Sequence, residues 1–275
     1  MTLPARFVKM AGGGNDFLLF EADARLLSDE DRRRIALLCR RGLSVGADGA
    51  LFVSEGEDSR VHLDYFNADG GLASFCANGT RCAARYAVTR RLVEGSEPVL
   101  ETGWGLIRAR VEGEEVTLHL PALALPGKPI AIAGEGLPAL ATPITVGVPH
   151  LVVFIRGDLE ALPIARLAPP LRRHPAMPEG ANINFVEVTG PGSVRVRTWE
   201  RGVEGETLAC GSGVVASAIV AARERLVSPP VVCATRSGAA FTVEFAERDG
   251  EIVDATLTGD AREIYSGQLN EEAWE

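Results

Sequence analysis

The chain has 275 residues, 46% hydrophobic and 24% charged, with a formal net charge of −9. This is the composition of a globular protein long enough for one large domain or two ordinary ones, and it excludes disordered and fibrous classes. The acidic balance argues against a nucleic-acid partner, and the short Arg32-Arg33-Arg34 and Arg40-Arg41 runs read as solvated helix faces.

In chain order, strands are expected over 7–10 and 17–20, joined by a tight turn through Gly12-Gly13-Gly14-Asn15-Asp16. The glycines do not form a phosphate loop, because no Gly-Lys-Ser/Thr follows and a strand rather than a helix comes next. Their remaining role is close backbone approach to a ligand, with Asn15 as a polar contact. Ser28-Asp29-Glu30-Asp31 is an N-cap and acidic first turn for a helix reaching about Arg40 and ended by Gly42. Strands follow over 50–53 and 61–66, then a polar turn from Asn67 through Asp69-Gly70-Gly71. After it, Cys76-Ala77-Asn78-Gly79 opens a helix-permissive run through Arg81 and Tyr86, so Cys76 falls at a helix start. Unpaired N–H groups and the positive end of the helix dipole converge there, which favours the ionised thiol.

The stretches 99–102, 105–111 and 115–120 read as a strand meander, with turns at Gly103 and Gly113. The proline-, alanine- and glycine-rich stretch 121–143 has the least periodic pattern and marks a domain boundary. A strand leads into Gly147-Val148-Pro149-His150, another covers 151–155, and a proline-dense crossing fills 163–178. A strand over 194–199 precedes a second polar loop, Glu200-Arg201-Gly202, and a second thiol, Cys210, before a small-residue helix that ends ahead of Pro229-Pro230. Strands from Val231, Phe241 and Ile252 close the pattern, and Leu257-Thr258-Gly259-Asp260 echoes Leu118-His119-Leu120-Pro121. The expected division is therefore 1–120 with 262–275 as one half and 121–261 as the other.

The two thiols lie 134 residues apart, and other landmarks share that offset. Gly46-Ala47-Asp48 matches Gly180-Ala181-Asn182, Asn15 matches Pro149, and Asn67 matches Glu200 at 133. The chain reads as a duplicated unit. Two facing copies would bring two helix N-termini, each with its thiol, to one interdomain cleft, where a carboxylate could be held between them. One thiolate would remove the proton beside that carboxylate and the opposite thiol would return one to the other face, inverting a stereocentre. A redox pair of Cys76 with Cys82 leaves Cys210 unexplained. Five cysteines without a Cys-x-x-Cys pair fit reduced thiols, and four scattered histidines offer no metal spacing, so no cofactor is expected. The first six residues carry no signal-like apolar core and no run reaches about eighteen apolar residues. A cytoplasmic protein with no membrane partner is expected.

At Gly14-Asn15-Asp16-Phe17, Asn67-Ala68-Asp69-Gly70, Cys76-x-Asn78-Gly79-x-Arg81-Cys82, Pro149-His150, Asn182, Glu200-Arg201-Gly202 and Ala209-Cys210-Gly211-Ser212-Gly213, the chain resembles the diaminopimelate epimerase family. These are cofactor-independent amino-acid racemases, and the resemblance covers nearly the full length. It implies an α/β fold of two pseudo-symmetric domains, each a mostly antiparallel sheet wrapped round a central helix, with the site between them, usually in homodimers. It implies Cys76 and Cys210 as the acid and base, with backbone amides at Ala77, Asn78, Gly211 and Ser212 as donors to the substrate. His150 and Glu200 match positions that tune the thiols. Asn67, Asn182 and Arg201 match positions that hold the distal, non-reacting end of the substrate, with Asn15 nearer the reacting carbon. The chain departs from the family at Val148, where asparagine is usual, and at Gly13, Ala77 and Ser212. The implied activity is epimerisation of LL- to meso-diaminopimelate, with racemisation of another amino acid as the alternative.

Overall fold

The computed structural model describes residues 3–134 and 136–274. The chain divides into two compact units, Met1–Leu118 with Gly259–Glu275, and His119–Thr258. The sequence reading sets these boundaries two or three residues later.

In the first unit, β1 (Arg6–Gly12) turns back into β2 (Asn15–Glu21) through Gly13 and Gly14 alone. Both have positive φ, 63° and 101°, which glycine adopts at little cost and which suits a two-residue hairpin. Helix α1 (Asp29–Leu38) is started by a reciprocal box: Asp31 N–H donates to the Ser28 hydroxyl (3.1 Å), and Ser28 N–H donates to the Asp31 carboxylate (2.9 Å). It carries the chain to β3 (Gly49–Glu55), which runs parallel to β2. Then come β4 (Val61–Asn67), β5 (Leu72–Ala73), helix α2 (Ala77–Thr89), β6 (Val99–Thr102), β7 (Gly105–Glu112) and β8 (Glu115–His119).

The second unit contains β9 (Leu123–Ala124), β10 (Ile130–Ala131), β11 (Leu140–Val146), β12 (Val148–Phe154), helix α3 (Ile164–Arg172), β13 (Asn182–Gly190), β14 (Ser193–Glu200), β15 (Gly205–Thr207), helix α4 (Gly211–Arg223), β16 (Val231–Thr235), β17 (Ala240–Arg248) and all but the last two residues of β18 (Glu251–Asp260). A last strand, β19 (Arg262–Gln268), pairs antiparallel with β1.

The duplication is written in the pairings. The ladder β1–β2–β3–β4–β6–β7, with β5 beside β4, has its parallel pairs at β2/β3 and β4/β6. In the second unit β11–β12–β13–β14–β16–β17, with β15 beside β14, places its parallel pairs at β12/β13 and β14/β16. Phe17 faces Gly49 and Leu151 faces Ile183, each 134 residues on. One landmark shifts: Gly49 faces Asn67 but Ile183 faces Trp199, so Trp199 rather than Glu200 holds the place of Asn67. The connection into the helix is accordingly longer, Trp199 to Gly211 against Asn67 to Ala77, and Glu200 and Arg201 occupy the added length.

In each unit the sheet has a helix on both faces. On β12, β13 and β14 alternate side chains point to opposite faces. Leu151, Val153, Ile183 and Phe185 pack with Ile164, Leu167, Ala168 and Leu171 of α3, while the opposite face receives α4. Likewise Leu18, Phe20, Ala50, Phe52 and Phe66 pack against Ile35 and Leu38 of α1, leaving the other face to α2. Both central helices are buried nearly all round: α4 is small and apolar along most of its length, whereas α2 buries Asn78, Thr80 and Arg81 among its alanines.

Helix α3 lies within the stretch read from sequence as a proline-dense crossing. Pro169 and Pro170 sit inside it, each removing a backbone donor, which is why the pattern argues against a helix. The buried stripe Ile164, Leu167, Ala168 and Leu171 outweighs that cost, and Pro170 falls on the exposed face. Leu171→Ala should therefore lower the unfolding free energy by about 2–5 kcal/mol in a denaturant titration, whereas Pro170→Ala should leave it unchanged or slightly raised. Equal losses from both would show that the buried stripe does not hold the helix.

Candidate active site

Both cysteines singled out from sequence are the N-cap residues of 13-residue helices, Cys76 for α2 and Cys210 for α4. Their backbones are extended, at φ −142° and ψ 110° for Cys76 and φ −124° and ψ 110° for Cys210. That is the conformation in which a cap side chain turns back over the first turn. The Gly79 N–H points at Cys76 Sγ (3.5 Å), and Cys210 Sγ lies 3.5 Å from the Ser212 hydroxyl. No disulfide joins the five cysteines. Cys39 and Cys233 are core thiols that burial pushes up to about 12, out of reach of acid–base work near neutrality.

Around Cys76 the first unit builds a chain of side-chain amides. Asn78 donates through Nδ2 to Asn15 Oδ1 (2.7 Å), and Asn15 donates through Nδ2 to Asp48 Oδ2 (2.9 Å). Arg81, fully buried, donates through Nη2 to Asn78 Oδ1 and through Nε to the Asp260 carbonyl (3.3 Å). Burial pushes the Arg81 guanidinium down, and the neighbouring Cys82 and Cys76 oppose that shift. Asp48 is held in turn by Arg41 (2.8 Å). Burial alone would raise the Asp16 carboxyl, but hydrogen bonds from Arg41 and Lys9 outweigh it and hold the group below its ordinary range. Asn15 and Asn78 thus come together at the start of α2, next to Cys76. Ala77 is buried in the first turn, and Asn67 lies exposed at the end of β4.

In the second unit Asn182, 4% exposed, accepts from the Arg201 N–H at Oδ1 (2.8 Å) and directs its Nδ2 toward Cys210 Sγ at 4.0 Å. Its side chain therefore sits against the thiol, while the Arg201 guanidinium reaches the Glu179 carbonyl (3.0 Å). Glu200 accepts from the Thr207 hydroxyl at 2.6 Å. Gly211 is buried and Ser212 half-buried at the start of α4. Val148, half-buried, begins β12, so the strand read from sequence over 151–155 starts three residues earlier.

Sequence reasoning missed Asn184, Thr198, Asp48 and a structural role for Arg81. Asn184 was findable: in Asn182-Ile183-Asn184-Phe185 polar and apolar residues alternate, so both asparagines leave one face of a strand. That face receives the first turn of α4, which is brought close by Gly213. A Cβ there would lie 2.3 Å from Asn184 Oδ1.

His150 is wholly buried on the same face, beside Asn182 in the parallel β12/β13 register. Burial, aided by the nearby Arg201 charge and opposed by the hydrogen bond with Asn184, lowers its pKa to about 3, so the ring is neutral near pH 7.

The sequence profile of the family described as diaminopimelate epimerase matches residues 7–120 and 142–263. The chain belongs to the diaminopimelate epimerase family. It is an isomerase of the racemase and epimerase type. A diaminopimelate epimerase from Aquifex aeolicus is 36% identical over 290 aligned residues, covering 98% of this chain and 99% of the relative. One from Gemmatimonas aurantiaca is 37% identical over 283, covering 96% and 98%. Among solved structures, a probable proline racemase from Agrobacterium radiobacter shares the fold with a TM-score of 0.72 at 16% identity, covering 97% of this chain and 93% of that one. A phenazine biosynthesis protein of the PhzF family from Bacillus anthracis does so at 0.71 and 16%, covering 97% and 99%. No helix among the described residues is long and apolar enough to cross a membrane.

The buried ring of this epimerase-family chain makes stability depend on pH. Unfolded, His150 takes a proton near its ordinary value of about 6.5; folded, it does so only near 3. Between those values the unfolded state binds the extra proton, so stability should fall as pH drops through that window. Thermal unfolding followed between about pH 4 and pH 7 should show this slope, and His150→Gln should flatten it. An unchanged slope in the variant would assign the acid sensitivity to other groups.

Proposed function

We propose that this chain interconverts LL- and meso-diaminopimelate by a two-base reaction in which Cys76 and Cys210 serve opposite faces of one α-carbon, with no metal or cofactor. The observation that carries the reading is that the two thiols hold the same N-cap position on two equivalent helices. The relatives at 36% and 37% identity bear the name of that activity.

One sulfur, as thiolate, takes the α-proton. The C–H electron pair moves into the substrate carboxylate as an enediolate, and the opposite S–H delivers its proton to the other face. The two thiols finish with their protonation states exchanged. A thiolate faces a gap of more than about ten pKa units to an amino-acid α-carbon, at about 1.36 kcal/mol each. One helix dipole, worth about 0.3–1 kcal/mol, is too small to close it. Several fixed donors in a water-poor site must act together. The first-turn N–H groups of a helix have no partner within it, and those at Ala77, Asn78, Gly211 and Ser212 are assigned to the carboxylate. His150 and Glu200 are assigned to tuning the thiols, Asn15 to the reacting end, and Asn67, Asn182 and Arg201 to the distal end, where Arg201 supplies a fork for a second carboxylate. On the family resemblance, the product feeds lysine and peptidoglycan precursor synthesis in the cytoplasm, and the working form is a homodimer.

Cys76→Ala and Cys210→Ala should each cut epimerisation by roughly 10²-fold or more while circular dichroism stays unchanged; either variant interconverting the isomers at near wild-type rate would remove the two-thiol mechanism. Val148 tests the substrate. Restoring an amide with Val148→Asn adds one hydrogen bond, worth about 0.5–1.5 kcal/mol. It should lower KM for diaminopimelate by up to about tenfold with little change in kcat. If the native protein instead ignores diaminopimelate and exchanges the α-proton of an amino acid without a distal carboxylate, Val148 is a specificity residue for that other substrate.

A further inference from the structure

We propose that Asn184 is a positioning residue: clamped by Thr198 and by the first turn of α4, it fixes the His150 imidazole with its single proton on Nε2. The ring then serves the site only as a hydrogen-bond donor. The link to catalysis rests on the role proposed above for His150; the tautomer does not.

The strand register sets the arrangement. His150 and Asn182 are neighbours in the parallel β12/β13 pair, so Asn184, two residues on, leaves the same face. Thr198 lies directly opposite Asn184 in the antiparallel β13/β14 pair. His150 and Asn184 are fully buried and Thr198 is 3% exposed. The Thr198 hydroxyl donates to Asn184 Oδ1 at 3.0 Å, and Asn184 Nδ2 lies 3.1 Å from His150 Nδ1.

Which end of the amide faces the ring decides the tautomer. Asn184 Oδ1 abuts Gly213 in the first turn of α4. N–H groups and the positive end of the helix dipole concentrate there, so an oxygen is favoured and an NH2 group is not. The NH2 therefore turns to the ring, and Nδ1 must accept. A neutral imidazole carries one N–H, which is then on Nε2. Nε2 is buried and has no hydrogen-bond partner among the described residues, an arrangement that costs free energy until a ligand brings an acceptor. A ring held this way can steady a negative sulfur or a carboxylate oxygen. It cannot act as a base, because its one lone pair is already taken by Asn184.

The test is a proton–nitrogen correlation spectrum of protein labelled with nitrogen-15 at histidine, with the His150 signals assigned by their loss in His150→Gln. The wild type should show a bare Nδ1 and a protonated Nε2. Asn184→Asp, which puts an acceptor beside Nδ1, should protonate Nδ1. Thr198→Val should give a mixture of tautomers, and Thr198→Ser, which keeps the hydroxyl, should restore the wild-type signals. The Thr198 pair carries the test if the Asn184 variant fails to fold. A wild-type proton on Nδ1, or variants that leave the ring signals unmoved, would overturn the proposal. Activity is read separately: Asn184→Asp should lower kcat more than it changes KM. Ring signals that move as expected with unchanged turnover would uphold the positioning and remove His150 from the mechanism.

Discussion

The constraint on which both units depend is the burial of a helix from its first turn onward. A helix start leaves donors without partners, and burying them is tolerable only if something nearby accepts or a ligand arrives to do so. Here each start is capped by a cysteine, lined by small residues, and pressed against a strand through a glycine, Gly79 over Leu51 and Gly213 over Asn184. The same closeness that packs the helix into its sheet brings its first turn down beside the capping sulfur.

The two copies meet that constraint differently. In the first unit the polar groups under the helix are ionic at their far end, running from Asn78 and Asn15 to Asp48 and Arg41, with Arg81 buried among them. In the second they are neutral, with His150, Asn182, Asn184 and Thr198 on one face of the sheet across β12, β13 and β14. Charge balance therefore differs beneath two thiols whose backbones are nearly the same.

Much of this was legible in the sequence, for reasons that can be named. The strand alternation, the Ser28 cap and the two thiol loops are local signals, and the 134-residue offset is a pattern no single element has to carry. What stayed hidden depends on tertiary contact. Helix α3 looked broken because prolines are counted by position, not by the face they occupy. Arg81 could be read as part of a motif, yet its full burial follows only from where the Asp260 carbonyl lies. Asn184 needed the strand face to be known before its neighbours could be.

The pairing of β19 with β1 has a consequence for how the protein is made. The second unit is a continuous stretch and is complete in the nascent chain before the first unit has its last strand. That late segment is not an ornament of the edge. Gly13 N–H donates to the Asp260 carboxylate (2.7 Å), Arg81 and Arg85 of α2 bind the carbonyls of Asp260 and Ala261, and Arg90 pairs with Glu263 (2.7 Å). The surroundings of Cys76, laid down among the first eighty residues, therefore wait on some of the last fifteen or so. During synthesis the surroundings of Cys210 can be assembled early while those of Cys76 stay unfinished, and a chain cut short near Asp260 would keep both cysteines yet have no settled environment for the first.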